Sequence, residues 1–294
     1  MRAYKMMPKD EYLNVNGLRL HYINWGKGGH KTMLLLHGFM AHAHAWDEFA
    51  LNFRNRYHII ALDQRGHGES QWSKNGFYTI DEHLSDIAKI IKILKLRNLI
   101  IIGHSMGGRN ALFYTACYPE NVERLVLIDA RLWSNPKNSR ALRHHLINLP
   151  LQAFSLSEVV QAIQNLYPYL STKTCRHIAY YGYKKIEDRK FVPKFDVRMG
   201  LQSNLLGCMT EDLKPFLANV ACPTLIIRGK ESLFLSRADA RKICNLIPSA
   251  KLREIPTATH MPVQENPKAF KKVISDFLGE KSKKNLHFNK IIKR

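Results

Sequence analysis

Five short, almost unbroken apolar runs punctuate the chain: "TMLLLHG", "HIIALDQRG", "LIIIGHS", "RLVLIDA" and "TLIIRG", each closed by glycine or a polar residue. Runs of this length are too short for a typical helix, and their continuous apolar character marks strands buried on both faces, as in a parallel sheet covered by helices. Segments of helical period lie between them. "DEHLSDIAKIIKIL" sets Leu84, Ile87, Ile91 and Leu94 on one face. "NPKAFKKVISDFLG" carries Asn266 as an N-cap, Pro267 at the first helical position and Gly279 at the end. Nearer the start, "EYLNVNGLRLHYINWG" alternates about an Asn-Gly pair and predicts an antiparallel hairpin at the sheet edge. Strands alternating with helices predict an α/β fold, a mostly parallel doubly wound sheet whose ligands collect at the carboxyl ends of the strands.

The alternation stops between Leu132 and Leu217, where helical stretches such as "SEVVQAIQNLYPYL" and "TCRHIAYYGYKKIED" replace strand-like runs. A segment of this length is too long for a loop in a compact sheet domain and reads as a helical insertion. The expected organisation is a core of residues 1–131 and 218–280, an insertion at 132–217 and a tail at 281–294.

Composition narrows the classes. The chain's 294 residues, 45% hydrophobic and 23% charged, suit one large core with an insertion. No apolar run approaches the ~18 residues of a membrane span, and "MRAYKMMPKDEY" lacks the apolar stretch of a secretory signal, so a cytoplasmic location is expected. The five cysteines are odd in number and show no C-x-x-C spacing, which points to neither a disulfide framework nor a zinc site. A net charge of +21 speaks to partners rather than to fold. The insertion is itself basic, and the tail "KSKKNLHFNKIIKR" has six Lys/Arg and no acid, a solvated extension with weak amphipathic character through Leu286, Phe288, Ile291 and Ile292. An acidic carrier protein or an anionic surface is the partner this charge would suit; for nucleic acid no motif accompanies it.

The chemistry gathers where "LIIIG" meets a helix, in Gly103-His104-Ser105-Met106-Gly107-Gly108. A G-x-S-x-G pattern is weak alone, but this one follows a buried strand and precedes a helix with small residues at its start, the context that exposes a serine hydroxyl on a strained turn. His37, His42 and His44 look at first like a metal cluster. His37 is better read as the residue before a loop glycine, and the other two as polar positions near a helix start. Asp63 and Arg65 in "LDQRGHG" read as braces of a turn.

At this point the sequence resembles the α/β-hydrolase superfamily, through "LLLHGF" at 34–39, "ALDQRGHGES" at 61–70, "IIGHSMGG" at 101–108, "PTLIIRG" at 223–229 and "ATHMPVQENP" at 258–267. The resemblance implies a cap formed by the insertion, Ser105 as nucleophile, His260 as general base, and an oxyanion hole from the backbone N–H groups of Phe39 and Met106. It implies no cofactor and no metal. Many relatives carry the triad aspartate three or four residues after the glycine that ends the strand, here Ser232 or Leu233, and neither is a carboxylate. The acid is then Asp129, at the end of the preceding strand as in some α/β-hydrolases, or Glu231, one residue before the usual place, or neither of them. With Asp129, Ser232 becomes a hydrogen-bonding helper, as the resemblance to esterases with a Gly-x-x-Ser loop suggests.

A serine at the elbow disfavours the epoxide hydrolases and dehalogenases of the superfamily, which use aspartate there. What remains is ester, thioester or amide cleavage through an acyl-enzyme, or carbon–carbon hydrolysis of a diketone-type substrate. A binding protein that keeps the fold without turnover is the alternative of another class. Tyr167, Tyr169, Tyr180, Tyr181, Tyr183, Phe191 and Phe195 are the candidate pocket aromatics of the insertion.

Overall fold

The computed structural model describes residues 8–27, 29–133, 144, 148–186, 190–201 and 211–280. The basic tail, Cys208 and stretches of the insertion lie outside the described residues. Strands β1 (Lys9–Val15) and β2 (Leu18–Lys27) form the predicted hairpin, with Asn16 and Gly17 at φ of 50° and 78°. Two successive positive φ values define the turn that follows the right-handed twist of paired strands, which is why Asn-Gly occupies it.

β3 (Thr32–Leu36), α1 (Asp47–Phe53), β4 (His58–Leu62), α2 (Ile80–Ile93), β5 (Leu99–His104), α3 (Met106–Cys117) and β6 (Val122–Ile128) then alternate as the pattern predicts. The eight-stranded sheet runs β1-β2-β4-β3-β5-β6, completed by β9 (Thr224–Gly229) and β10 (Ala250–Ile255). It is antiparallel at β1, β2 and β4 and parallel from β4 onward.

The unbroken apolar runs have a simple cause. Leu34, Leu36, Ile101, Leu125 and Ile226 point into the core on one face, and Met33, Leu35, Ile100, Val126 and Ile227 into the core on the other. Burying a side chain of this kind contributes about 1.5–3 kcal/mol, so polar alternation would forfeit half the sheet's support. Helix α9 (Pro267–Phe277), which follows α7 (Arg237–Leu246) and the short α8 (Pro262–Glu265), packs Phe270 and Ile274 against the second face. Its N-cap is the predicted Asn266, whose side chain accepts from Ala269 N at 3.1 Å.

In the insertion, α4 (Leu156–Leu166) and α5 (Thr172–Gly182) pair around Val159, Ile163, Cys175 and Ala179. The helical reading needs one correction: a small antiparallel pair, β7 (Tyr183–Lys185) and β8 (Phe191–Pro193), follows α5. α5 ends at Gly182, a poor helix former, and three-residue strands are too short to show alternation. The one-turn helix α6 (Arg198–Leu201) ties the insertion to the core. There Asp196, fully buried, accepts from Tyr78 Oη at 2.6 Å and from Arg198 Nη2 at 2.6 Å, and Arg198 Nη2 also donates to Ser73 O at 2.8 Å. A buried carboxylate without such partners would cost several kcal/mol. Among the described residues no helix is long and apolar enough to cross a membrane.

Buried histidines predict acid sensitivity. Burial holds His37 and His42 down at about 4 and His67 and His104 at about 3, and lowers His83 well below its ordinary value. On unfolding, each takes up a proton between its folded value and the ordinary ~6.5, so their contribution is full above pH 6.5 and is lost as pH falls. The slope is up to about 1.4 kcal/mol per pH unit for each histidine. His21, raised by Asp63 against the effect of burial, His177, raised by its hydrogen bond to Asp47, and the carboxyls of Asp129, Glu211 and Glu265, raised by burial, work in the opposite sense, but of these only Asp129, at about 7, shifts as far as the five histidines. Urea midpoints at pH 7.5 and 5 should differ substantially, the lower at pH 5. Equal midpoints would contradict this account.

Candidate active site

β5 lies at the centre of the sheet between β3 and β6, and its carboxyl end delivers Gly103-His104-Ser105 to the top of the molecule. Ser105 sits at φ 51°, ψ −114°, outside the helical region, while Met106 begins α3. Such a backbone costs a non-glycine residue of order 1–3 kcal/mol. Close packing holds it there: a Cβ on Gly103 would lie 2.2 Å from Gly107 O, and one on Gly107 2.3 Å from Leu36 O. Ser105 N donates to Ile128 O at 2.9 Å, binding the elbow to the end of β6.

The next residue after β6 is Asp129, also at positive φ (44°) and 1% exposed. Its Oδ2 lies 2.7 Å from His260 Nδ1, in the loop between β10 and α8. Ser232 Oγ donates to the same Oδ2 at 2.6 Å, and Gly229 N to Oδ1 at 3.3 Å. Burial pushes the Asp129 carboxyl up to about 7, while the Ser232 hydroxyl, His104, the Gly229 N–H and Arg228 pull it down. Glu231 faces elsewhere: its Oε2 accepts from Ala258 N at 3.0 Å. The structure thus brings Asp129 and Ser232 to His260 and leaves Glu231 bracing the backbone ahead of it.

Ser105, His260, Phe39 and Met261 line one cavity of about 770 Å³, open solvent at its mouth included. Phe39 follows the Gly38 turn beyond β3, where a Cβ on Gly38 would stand 3.2 Å from Ser105 Cβ. The Phe39 loop therefore runs beside the serine. Met106, at the first turn of α3, has an N–H without an intrahelical acceptor. Of the seven candidate aromatics, Tyr167, Tyr183 and Phe195 line the cavity. Tyr169 and Tyr180 are exposed, Tyr181 stacks on His44, and Phe191 packs against the insertion's own core. The described lining contains no Lys or Arg.

The remaining candidates separate as the pattern suggests. His37 Nδ1 donates to Gly38 O at 2.7 Å and Nε2 accepts from Gln64 N at 3.0 Å. His42 bonds Ile178 O and His44 bonds Asp47, so the three rings do not converge. Asp63 accepts from Ala43 N and Glu69 N, and Arg65 pairs with Asp86 and Glu82.

Two residues beside His260 escaped the sequence reading. His104 Nε2 donates to His260 O at 2.7 Å, and the Phe234 ring stacks on the imidazole with centroids 3.8 Å apart. His104 had a signal in its place before the serine; Phe234 had none, since Leu233 beside it is equally apolar and is 80% exposed.

Comparison with known proteins agrees with this architecture. The chain is 29% identical over 253 residues to "2-(acetamidomethylene)succinate hydrolase" of Mesorhizobium japonicum, covering 86% of this chain and 89% of that protein. It is 28% identical to mouse "Epoxide hydrolase 4", covering 92% of this chain and 79% of that one. The solved structure of "E-2-(Acetamidomethylene)succinate Hydrolase" superposes with a TM-score of 0.82 at 26% identity, over 93% of this chain and all of that one. The family described as alpha/beta hydrolase fold matches residues 31–267. That span runs from the residue before β3 to the first residue of α9 and takes in the elbow, the Asp129–His260 pair and the insertion; the chain belongs to the α/β-hydrolase family and is a hydrolase of it.

Proposed function

We propose that the protein cleaves a carboxylic ester or thioester with an apolar acyl group, through an acyl-enzyme on Ser105. The observation that carries this reading is the hydrogen-bonded Asp129–His260 pair in company with Ser105 on one apolar cavity. In the first half-reaction Ser105 Oγ attacks the carbonyl carbon as its proton passes to His260 Nε2, and the carbonyl oxygen becomes an oxyanion facing the N–H groups of Met106 and Phe39. The proton then moves to the departing alcohol or thiol. In the second half-reaction water loses a proton to the imidazole as it attacks the acyl carbon, and the imidazolium returns that proton to Ser105 Oγ as the ester bond breaks and the acid leaves. Asp129 accepts the Nδ1–H throughout, keeps the reactive tautomer and stabilises the imidazolium. The insertion acts as the cap over the acyl pocket.

The likeness to "Epoxide hydrolase 4" does not carry its printed activity here, because the elbow presents a hydroxyl where epoxide opening in this superfamily uses a carboxylate. A second reading, hydrolysis of a small carboxylate-bearing substrate, is favoured by the likeness to "2-(acetamidomethylene)succinate hydrolase". Against it, the described lining offers no cation to pair with carboxylates.

A panel of p-nitrophenyl esters separates the two. Neutral acyl groups from acetyl to octanoyl should give kcat/KM at least about tenfold above a hemisuccinate, since an unpaired charge entering an apolar site costs more than one tenfold step. The reverse order would favour the second reading, and turnover of diketones in place of esters a carbon–carbon hydrolase. A fluorophosphonate adduct mapped by peptide sequencing should fall on Ser105; no adduct on the folded chain would favour a binding protein. If the substrate is carrier-linked, the basic surface steers it, and activity should fall with added salt.

A further inference from the structure

We infer that Phe234 is a positioning residue for His260, whose ring stabilises the imidazolium formed when Ser105 gives up its proton. This rests on the roles of Ser105 and His260 proposed above. The two rings lie nearly parallel, with centroids 3.8 Å apart and planes 18° from coplanar. An aromatic face carries negative quadrupole density, so it attracts an imidazolium more strongly than a neutral imidazole. An interaction that grows as the proton arrives raises the basicity of His260 and lowers the barrier together.

The loop is built to hold that ring. Arg228, 7% exposed, donates to the carbonyls of Leu235 at 2.7 Å, Lys230 at 3.0 Å and Ser232 at 3.2 Å, and pairs with Glu254 at 2.7 Å. Ser232 Oγ, while donating to Asp129, accepts from Phe234 N at 3.1 Å and Leu235 N at 3.3 Å. One hydroxyl therefore joins the acid of the pair to the backbone that presents the ring. Leu233 turns outward at 80% exposure, so burial of the loop as a whole does not account for the inward Phe234.

The other groups around His260 are assigned. Asp129 holds Nδ1 from the end of β6, and neutral His104 holds the backbone carbonyl from the elbow, its ring centroid 4.7 Å away. Glu265 of α8 is occupied by the N–H groups of Thr259 and Met261 and by Thr259 Oγ1. Arg228 of β9 is a cation whose field reaches Asp129. The face of the imidazole that Phe234 covers is thus an aromatic contact placed by a loop that, in the family pattern, would carry the acid.

The test compares Phe234→Leu and Phe234→Tyr with wild type on p-nitrophenyl acetate, whose short acyl group leaves most of the cavity wall uninvolved. In Phe234→Leu, kcat should fall about tenfold, and the acid limb of kcat/KM against pH should move down by about half to one unit, the scale of a partly desolvated cation–π contact. KM should stay within about twofold, and Phe234→Tyr should restore both rate and limb. In the wild-type chain the His260 Cε1–H resonance, assigned by its loss in His260→Gln, should lie upfield of the ordinary imidazole range; a resonance in that range overturns the proposal even if Phe234→Leu does not fold. An unmoved limb, or a change confined to KM, reduces Phe234 to cavity wall and also overturns it. If wild type labels with fluorophosphonate at Ser105, such a result sinks this inference alone. If wild type does not label, the serine-hydrolase reading falls and takes the inference with it.

Discussion

Ser105→Ala is expected to lower kcat by about six orders of magnitude on the best p-nitrophenyl ester and to leave the fold intact. The magnitude is that of removing a nucleophile from a site in which serine and histidine act as a unit. Alanine is the informative replacement because it keeps the Cβ. The backbone at φ 51°, ψ −114° is imposed by the close approach of Gly103 to Gly107 and of Gly107 to Leu36, and alanine meets the same strain as serine. The hydroxyl alone is lost, so the melting temperature should hold within a few degrees while turnover collapses. Retention of more than about one part in a hundred of kcat would mean that another group attacks the substrate.

Asp129→Asn should cut kcat by about four orders of magnitude, whereas Glu231→Gln should stay within about threefold of wild type. Asparagine fits the left-handed backbone at φ 44°, since it is among the residues that tolerate positive φ, so the substitution changes charge rather than chain path. What it changes is the hydrogen bond at 2.7 Å: an amide NH2 facing Nδ1 favours the tautomer with its proton on Nε2, which cannot take one from serine. Ser232 Oγ loses its ionic acceptor at the same time. The Glu231 carboxylate accepts from Ala258 N, two residues before the histidine, and an amide oxygen accepts that hydrogen bond nearly as well. Steady-state rates of the two variants decide between the acids. A large loss in Glu231→Gln with a small one in Asp129→Asn would overturn the assignment.

The parts of this molecule that are legible in one dimension share a physical property: their causes act over a few residues. Period-2 burial on two faces writes itself as "LIIIG", the hairpin as Asn16-Gly17, and the elbow as Gly103, Ser105 and Gly107 because the turn excludes Cβ atoms at its flanks. Helix α9 announces its start through Asn266 and Pro267 for the same reason. β7 and β8 were not legible, because three residues cannot display a period and their pairing belongs to the insertion's packing. The charge of the insertion suits an anionic partner, yet the described cavity lining holds no Lys or Arg: sequence counts charges without saying which way side chains face.

From the sequence alone follow the sheet, the strand-to-helix elbow at Ser105, the order of Ser105 and His260 and the two candidate acids. Only the tertiary structure chose which carboxylate meets the histidine. β6 pairs in parallel with β9, Ile128 beside Ile227, and this register sets Asp129 against Gly229 and Ser232 across more than a hundred residues of chain, counting both ends. The loop that reads as the place for an acid instead supplies a hydroxyl to Asp129 and an aromatic face to His260. Proximity of this kind is a property of strand order and register, which local period does not encode, and so a carboxylate one position from the usual site is passed over for another on the neighbouring strand.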